Sequence, residues 1–145
     1  MAKKIMRYGE LFCGPGGFAL GAVNASKKNK KYTIKHAWAN DIDEWACKTY
    51  AKNICNNIDD ESVVPGDIRD PKQFNIEKQD PIDILAFGFP CNDYSLVGEQ
   101  KGIKGAFGPL YTYGVQALDI HTPDVFVAEN VSGLSSSNDG QAFKN

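Results

Sequence analysis

Apolar residues in this chain fall in short runs separated by glycine turns and polar stretches. Residues 5 to 12, Ile-Met-Arg-Tyr-Gly-Glu-Leu-Phe, predict a first strand; Gly14-Pro15-Gly16-Gly17 predicts a turn, and Phe18-Ala-Leu-Gly-Ala-Val the start of a helix. Thr33 to Asn40 predicts a second strand. Asp43 to Ile54 predicts a second helix, with Trp45, Ala46, Thr49 and Tyr50 at helical spacing. Val63-Val64 begins a short third strand. Ile82 to Phe87 is an apolar run of the kind a parallel strand buried on both faces requires, and Val125 to Ala128 is a fifth. Strands alternating with helical stretches, with no hairpin signal between them, predict an α/β fold: a doubly wound, mainly parallel sheet. Between the fourth and fifth strands, Gly98, Gly102, Gly105 and Gly108 break a polar stretch that has no periodicity until Leu110. Its place after a strand end predicts a mobile lid.

With 145 residues, 42% of them hydrophobic and 23% charged, the chain is of a size to build one globular core. Met1-Ala2-Lys3-Lys4 is followed by no apolar run of signal-peptide length, and nowhere is there a run long enough to span a bilayer. The expectation is a cytoplasmic protein with no membrane partner. The cysteines at 13, 47, 55 and 91 form no C-x-x-C pair and have no histidine at a ligand interval, so no metal site and no disulfide framework are expected. Lys27, Lys28, Lys30 and Lys31 read as a solvated helix end. A net charge of -2 lacks the basic footprint that gripping a polyanion normally needs.

Ligands of open α/β sheets bind outside the carboxyl ends of the strands, so the chemistry is to be sought there. The first strand runs into Glu10-Leu11-Phe12-Cys13-Gly14-Pro15-Gly16-Gly17, whose glycines let a ligand approach the backbone and the amides of the following helix. The second ends at Asn40-Asp41, about 24 residues beyond the turn, where nucleotide-binding folds place a carboxylate for the ribose hydroxyls. The third leads to Asp67, positioned to meet the exocyclic amine of an adenine. Together they predict an adenosine-containing cofactor. The fourth strand ends in Gly88-Phe89-Pro90-Cys91-Asn92-Asp93-Tyr94-Ser95, which presents Cys91 as a candidate nucleophile, since a thiolate adds readily to an electron-poor carbon. Cys13, Cys47 and Cys55 read as buried and inert. The fifth ends in Glu129-Asn130-Val131, where partial desolvation would raise the Glu129 pKa and suit it to proton donation.

The blocks LFCGPGGF, ANDIDEWACKTY, GDIRD, DILAFGFPCNDYSLVGEQKGI and VFVAENVSGL resemble, in order and spacing, the amino-terminal motifs of the cytosine-C5 DNA methyltransferases. The resemblance runs from residue 5 to about residue 141. It implies the Rossmann-like fold of S-adenosylmethionine-dependent methyltransferases, incomplete at its carboxyl-terminal edge. It implies S-adenosylmethionine held by Phe12, Gly14, Pro15, Gly16, Gly17, Asp41, Ile42, Asp67, Ile68 and Pro90, with S-adenosylhomocysteine as product. The catalytic residues would be Cys91, adding to carbon 6 of a cytosine flipped out of duplex DNA, Glu129 at ring nitrogen 3, and Asn130 and Ser95 in support. Glu10, Asn92, Tyr94 and Ile42 depart from the commoner residues of the family, and none of these changes removes a reacting group.

Members of this family are longer. The resemblance implies that residues 1–145 are the cofactor-binding and nucleophile-bearing part, without target recognition, inactive until completed by a carboxyl-terminal half or a second polypeptide. A bacterial restriction-modification setting is what the family suggests. Two alternatives stay open from the residues: a transfer RNA cytosine methyltransferase of the same fold, and a catalytically silent cofactor-binding module that regulates a partner.

Overall fold

The structure is a computed structural model that describes residues 3–89 and 110–130. Five strands and three α-helices alternate: β1 (Lys4–Leu11), α1 (Gly17–Lys28), β2 (Tyr32–Asp41), α2 (Glu44–Tyr50), β3 (Val63–Pro65), β4 (Ile84–Gly88), α3 (Tyr111–His121) and β5 (Val125–Glu129). The strands pair in the order β3-β2-β1-β4-β5, and every pairing is parallel. The α/β doubly wound fold read from the sequence is therefore present. Starting from β1, the chain winds outward to β3, then crosses back to β4. That reversal puts the carboxyl ends of β1, β2 and β4 around one crevice.

Each face of the sheet carries its own core. Leu11, Trp38, Leu85 and Phe87 point to the side covered by α3, where Phe74, Ile82 and Ala117 meet them. Tyr8, Ala39 and Ala86 point to the opposite side, against Ala19 of α1 and Cys47 and Tyr50 of α2. Adjacent residues of β4 thus serve opposite cores, which explains why its sequence is continuously apolar. Burying a side chain the size of Leu11 or Leu85 completely stabilises the fold by about 1.5–3 kcal/mol. Contacts at two glycines are close: a Cβ on Gly9 would meet the Trp38 ring at 2.7 Å, and one on Gly114 would meet the Phe87 ring at 2.5 Å.

The second helix departs from its expected course. Asp43 caps α2, accepting from the amides of Trp45 (2.8 Å) and Ala46 (3.1 Å), but the regular helix stops at Tyr50. A π-helical turn, Ala51–Cys55, follows and ends on Asn56 in the left-handed conformation. The widened turn lets Tyr50 and Ala51 both reach the core, while Trp45 is 75% exposed with the Lys48 ammonium over its ring. A further correction concerns the link from β3 to β4, where strict alternation with helices fails. That link is a series of turns and a single 3-10 turn, Ile76–Lys78, pinned by the buried Phe74 and Ile76.

Candidate active site

The turn after β1 is built by backbone strain that the sheet tolerates. Phe12 has φ 55, Gly14 φ 50 and Gly16 φ 95. A non-glycine residue in the left-handed region is uncommon, and such residues concentrate at functional sites. The glycines divide their roles. A Cβ on Gly16 would press on the Tyr50 ring at 3.0 Å, so Gly16 serves packing. Gly14 and Gly17 face open space, which leaves the backbone accessible to a ligand. Gly16 offers no side-chain cap and the first turn of α1 holds no acidic residue, but the buried Glu10 carboxylate accepts from the Ala19 amide in that turn.

Asp41 ties this turn to β2. Its Oδ2 accepts from the Gly14 amide at 2.8 Å and its Oδ1 from the Asp43 amide at 3.0 Å. Asn40 performs a second task that the sequence did not announce: its Nδ2 donates to the carbonyls of Val64 and Gly66, both at 3.0 Å. Those bonds, with Gly66 N–H to the Asp41 carbonyl at 2.8 Å, set the position of Asp67. The Asp67 carboxylate is gripped by Arg69, with Nε at 2.8 and 3.1 Å and an Nη at 2.6 Å, and these bonds hold its pKa below the usual carboxylate range.

A cleft of about 200 Å³ opens among these residues, lined by Phe12, Asp41, Ile42, Asp67 and Ile68, together with Asn40, Gly66, Arg69, Gly88 and Leu110. Five of the expected cofactor residues therefore share one cavity. Gly14 adjoins it through Asp41, while Pro15, Gly16 and Gly17 are not in its wall. Arg69, Gly88 and Leu110 were missed by sequence reading. Arg69 stands two residues past Asp67, and that spacing was the only signal available. A larger groove, about 410 Å³, lies elsewhere, between α1 and the amino-terminal ends of β1 and β4, and is lined by Met6, Ile34, Ile84 and Val125. Its polar lining is Lys4, Ser26, Asn29 and Asp124, with Lys4 and Asp124 paired at 3.4 Å, and it lies away from the carboxyl ends of the strands.

At the far end of the crevice, Glu129 closes β5. Its Oε2 lies 3.1 Å from where a Gly88 Cβ would stand, so Gly88 is the space in which the carboxylate sits. Glu129 is exposed, as is β5 along its whole length. Asn130 Nδ2 donates to the Phe89 carbonyl at 2.9 Å, directly before Pro90. Pro90, Cys91 and Ser95, with Asn92 and the glycine-rich loop, lie outside the described residues.

Behind the turn, Glu10 is 1% exposed. It accepts from the Tyr8 hydroxyl at 2.8 Å, from the Tyr50 hydroxyl and from the Ala19 amide of α1. Burial, partly offset by these bonds, pushes its pKa up to about 7. The network continues to the surface: His36 Nδ1 meets the Tyr50 hydroxyl at 3.2 Å and Nε2 the Ser62 hydroxyl at 2.9 Å, and Ser62 donates to Asp60. His36, Cys55 and Asp60 bring metal-ligating atoms within 4.8 Å of one another. Both histidine nitrogens already face hydroxyls, those of Tyr50 and Ser62, which link His36 to Glu10 and Asp60.

Comparison with known proteins bears on the whole chain. The sequence is 57% identical over 143 residues to the Type II methyltransferase M.BbvI of Brevibacillus brevis, covering 94% of this chain and 38% of that protein. It is 37% identical to M.NgoFVII of Neisseria gonorrhoeae, covering 92% of this chain and 32% of the relative. The chain thus spans about a third of the length of these relatives. Among solved structures, the fold matches the S. pombe Dnmt2 methyltransferase with a TM-score of 0.59 at 17% identity, over 97% of this chain and 39% of that one. It also matches a protein described as a prophage-encoded DNA modification methyltransferase from E. coli, with a TM-score of 0.57 at 27% identity, over 96% and 37%. The profile of the C-5 cytosine-specific DNA methylases matches residues 6–145. Fold, strand-end cleft and matched sequence agree, and the chain belongs to the C-5 cytosine-specific DNA methylase family.

Proposed function

We propose that this chain is the cofactor-binding and nucleophile-bearing part of an enzyme that methylates carbon 5 of cytosine in duplex DNA, in a Type II restriction-modification setting. One observation carries the reading: the cleft at the strand ends gathers Phe12, Asp41, Ile42, Asp67 and Ile68, while Asn130 fastens the residue before Pro90-Cys91 at the same edge of the sheet. The residues present fit S-adenosylmethionine. Asp41 would hold the ribose hydroxyls and Asp67 the adenine amine, Phe12 and Ile68 would give apolar contact, and the backbone over Gly14 and Gly17 is open. Bound there, S-adenosylmethionine supplies an electrophilic methyl group and leaves as S-adenosylhomocysteine.

The chain's own residues act on the base. Cytosine must leave the helical stack for its ring carbons to be reached. The Cys91 thiolate adds to carbon 6, and Glu129 holds a proton at ring nitrogen 3, so that electron density gathers at carbon 5. Once carbon 5 carries the methyl group and loses its proton, the bond to Cys91 breaks and the ring is restored. Asn130 positions the Pro90-Cys91 segment through the Phe89 carbonyl; Ser95 and its loop exclude water. Glu129 is shielded from water only when a further part of the enzyme covers β5.

Residues 1–145 act as one partial catalytic domain, with target recognition supplied by a carboxyl-terminal half or a second polypeptide. The test is transfer of labelled methyl groups to duplex DNA and to transfer RNA, by this chain alone and with a carboxyl-terminal part taken from the relatives. Transfer to DNA only in the completed enzyme is expected. Transfer by the chain alone, or to transfer RNA in preference to DNA, contradicts the reading.

A further inference from the structure

Three metal-ligating side chains converge on the face of the sheet that α1 and α2 cover, and none of them lines the cleft at the strand ends. His36 stands in β2, Cys55 ends the π-helical turn after α2, and Asp60 lies in the loop before β3. An imidazole nitrogen, the Cys55 sulfur and a carboxylate oxygen of Asp60 lie within 4.8 Å of one another. The three stand at no ligand interval, so the sequence predicts no metal site; the fold brings them together. Had α2 continued regularly, Cys55 would leave the helix axis at another angle. The wider turn Ala51–Cys55, and the left-handed Asn56 that ends it, set its direction, and widened turns of this kind occur often at functional sites. Cys55, which the sequence reads as buried and inert, is only half-buried, as are His36 and Asp60, so the group is not sealed from solvent.

The imidazole is held in the orientation a ligand needs. Its Nδ1 meets the Tyr50 hydroxyl at 3.2 Å, and its Nε2 meets the Ser62 hydroxyl at 2.9 Å, on the side where Ser62 donates to Asp60. With Nδ1–H donating to the Tyr50 oxygen, the Nε2 lone pair is aimed toward Asp60; a bond of this kind on the far nitrogen fixes the tautomer and ring of metal-binding histidines. The Tyr50 ring, fully buried, lies 5.4 Å from the imidazole between centroids and keeps it in place. Asp60 is fixed by its own loop, where Oδ1 accepts from the Ser62 amide at 3.0 Å.

We propose that His36, Cys55 and Asp60 bind a divalent transition ion of the zinc class, with Nε2, the thiolate and a carboxylate oxygen as ligands and water in the fourth place. The donors select the ion: sulfur and imidazole favour zinc over magnesium or calcium, which take oxygen ligands. Bonds of about 2.0–2.3 Å to a tetrahedral ion set its ligand atoms about 3.3–3.8 Å apart, so the group closes on the ion by about 1 Å. The Ser62 hydroxyl, which stands between Nε2 and Asp60, turns aside. The Cys55 thiol gives its proton to solvent as the sulfur–metal bond forms. The bound ion braces β2, the π-helical turn and the loop before β3 against one another, whether or not the chain transfers methyl groups.

The test uses the full wild-type chain, reduced and freed of metal, titrated with cobalt(II). A cobalt–thiolate bond gives a near-ultraviolet charge-transfer band, and four-coordinate cobalt absorbs intensely in the visible. The expected result is both bands, saturating at one ion per chain with a Kd of about 10 μM or tighter, and lost when zinc displaces the cobalt. Cys55→Ser should abolish the charge-transfer band and His36→Gln should weaken binding at least about tenfold, while Cys91→Ser leaves both bands in place. In the wild-type chain, zinc should slow the alkylation of Cys55 at least about tenfold relative to that of Cys91, as mapped by mass spectrometry, so the assignment does not depend on how the variants fold. The proposal is overturned by the absence of a charge-transfer band up to about 100 μM cobalt, by a band that survives Cys55→Ser, or by alkylation of Cys55 that zinc leaves unchanged.

Discussion

Glu10 shows how one residue binds the site to the core. Its carboxylate holds Tyr8, Tyr50 and the Ala19 amide together beneath the turn after β1, so its protonation is a stability term. Burial raises its pKa from 4.5 to about 7. The folded chain therefore binds more protons than the unfolded chain between those values, and this contribution is full below the lower value and lost as pH rises through the upper one. The loss is on the order of 2–3 kcal/mol. His36 opposes this trend in part, since burial lowers its pKa, so the difference between wild type and Glu10→Gln is the quantity to read. Denaturant titrations from about pH 4.5 to 8 should show wild type losing stability relative to the variant as pH rises; parallel curves contradict the assignment. Asp41→Asn belongs to the same scale. It keeps an oxygen for the Gly14 amide but loses the bond from the Asp43 amide and the charge proposed to meet ribose, and should weaken S-adenosylmethionine binding at least about tenfold at a cost of about 1 kcal/mol in stability. Calorimetry would find equal affinity if Asp41 served only the turn.

At the scale of elements, α3 rests on β4 through Gly114, whose absent side chain leaves room for the Phe87 ring. An exposed mid-helix Gly→Ala change normally stabilises by about 0.5–1 kcal/mol. Here the sign should reverse: Gly114→Ala should cost about 1–3 kcal/mol, read as a lower midpoint in denaturant, because Phe87 must shift. A stabilised variant would mean that the helix is not seated on that ring. The strands were the legible elements, since burial on both faces leaves continuous apolar runs such as Ile82 to Phe87 and a turn must follow each. The π-helical turn after Tyr50 was not legible, because only packing against β1 and β2 tells it from a regular helix. The candidate site divided in the same way. Asp41 and Asp67 were visible from their place at strand ends. The Glu10 network was not, because Tyr50 reaches it from far along the chain, and a lone Asn40 or Arg69 does not reveal which carbonyl or carboxylate it will bind.

For the molecule as a whole, the informative feature is β5. Val125, Phe126 and Val127 are large apolar residues on an outer parallel strand, and all are exposed, Phe126 at 56%. An exposed apolar edge invites pairing with further chain, and the chain spans only about a third of its relatives. Val127→Lys should therefore change the stability of this chain by no more than about 0.5 kcal/mol, yet lower the activity of the completed enzyme severalfold. Among the described residues no helix is long and apolar enough to cross a membrane. The central claim is that Cys91 of this chain attacks cytosine in DNA. The chain, joined by a carboxyl-terminal part taken from its relatives, should be incubated with S-adenosylmethionine and duplex DNA carrying 5-fluorocytosine, which blocks release of the adduct. The account predicts a covalent protein–DNA species mapped to Cys91 and absent from Cys91→Ser; an adduct at another residue, or none while cofactor binding is intact, would contradict it.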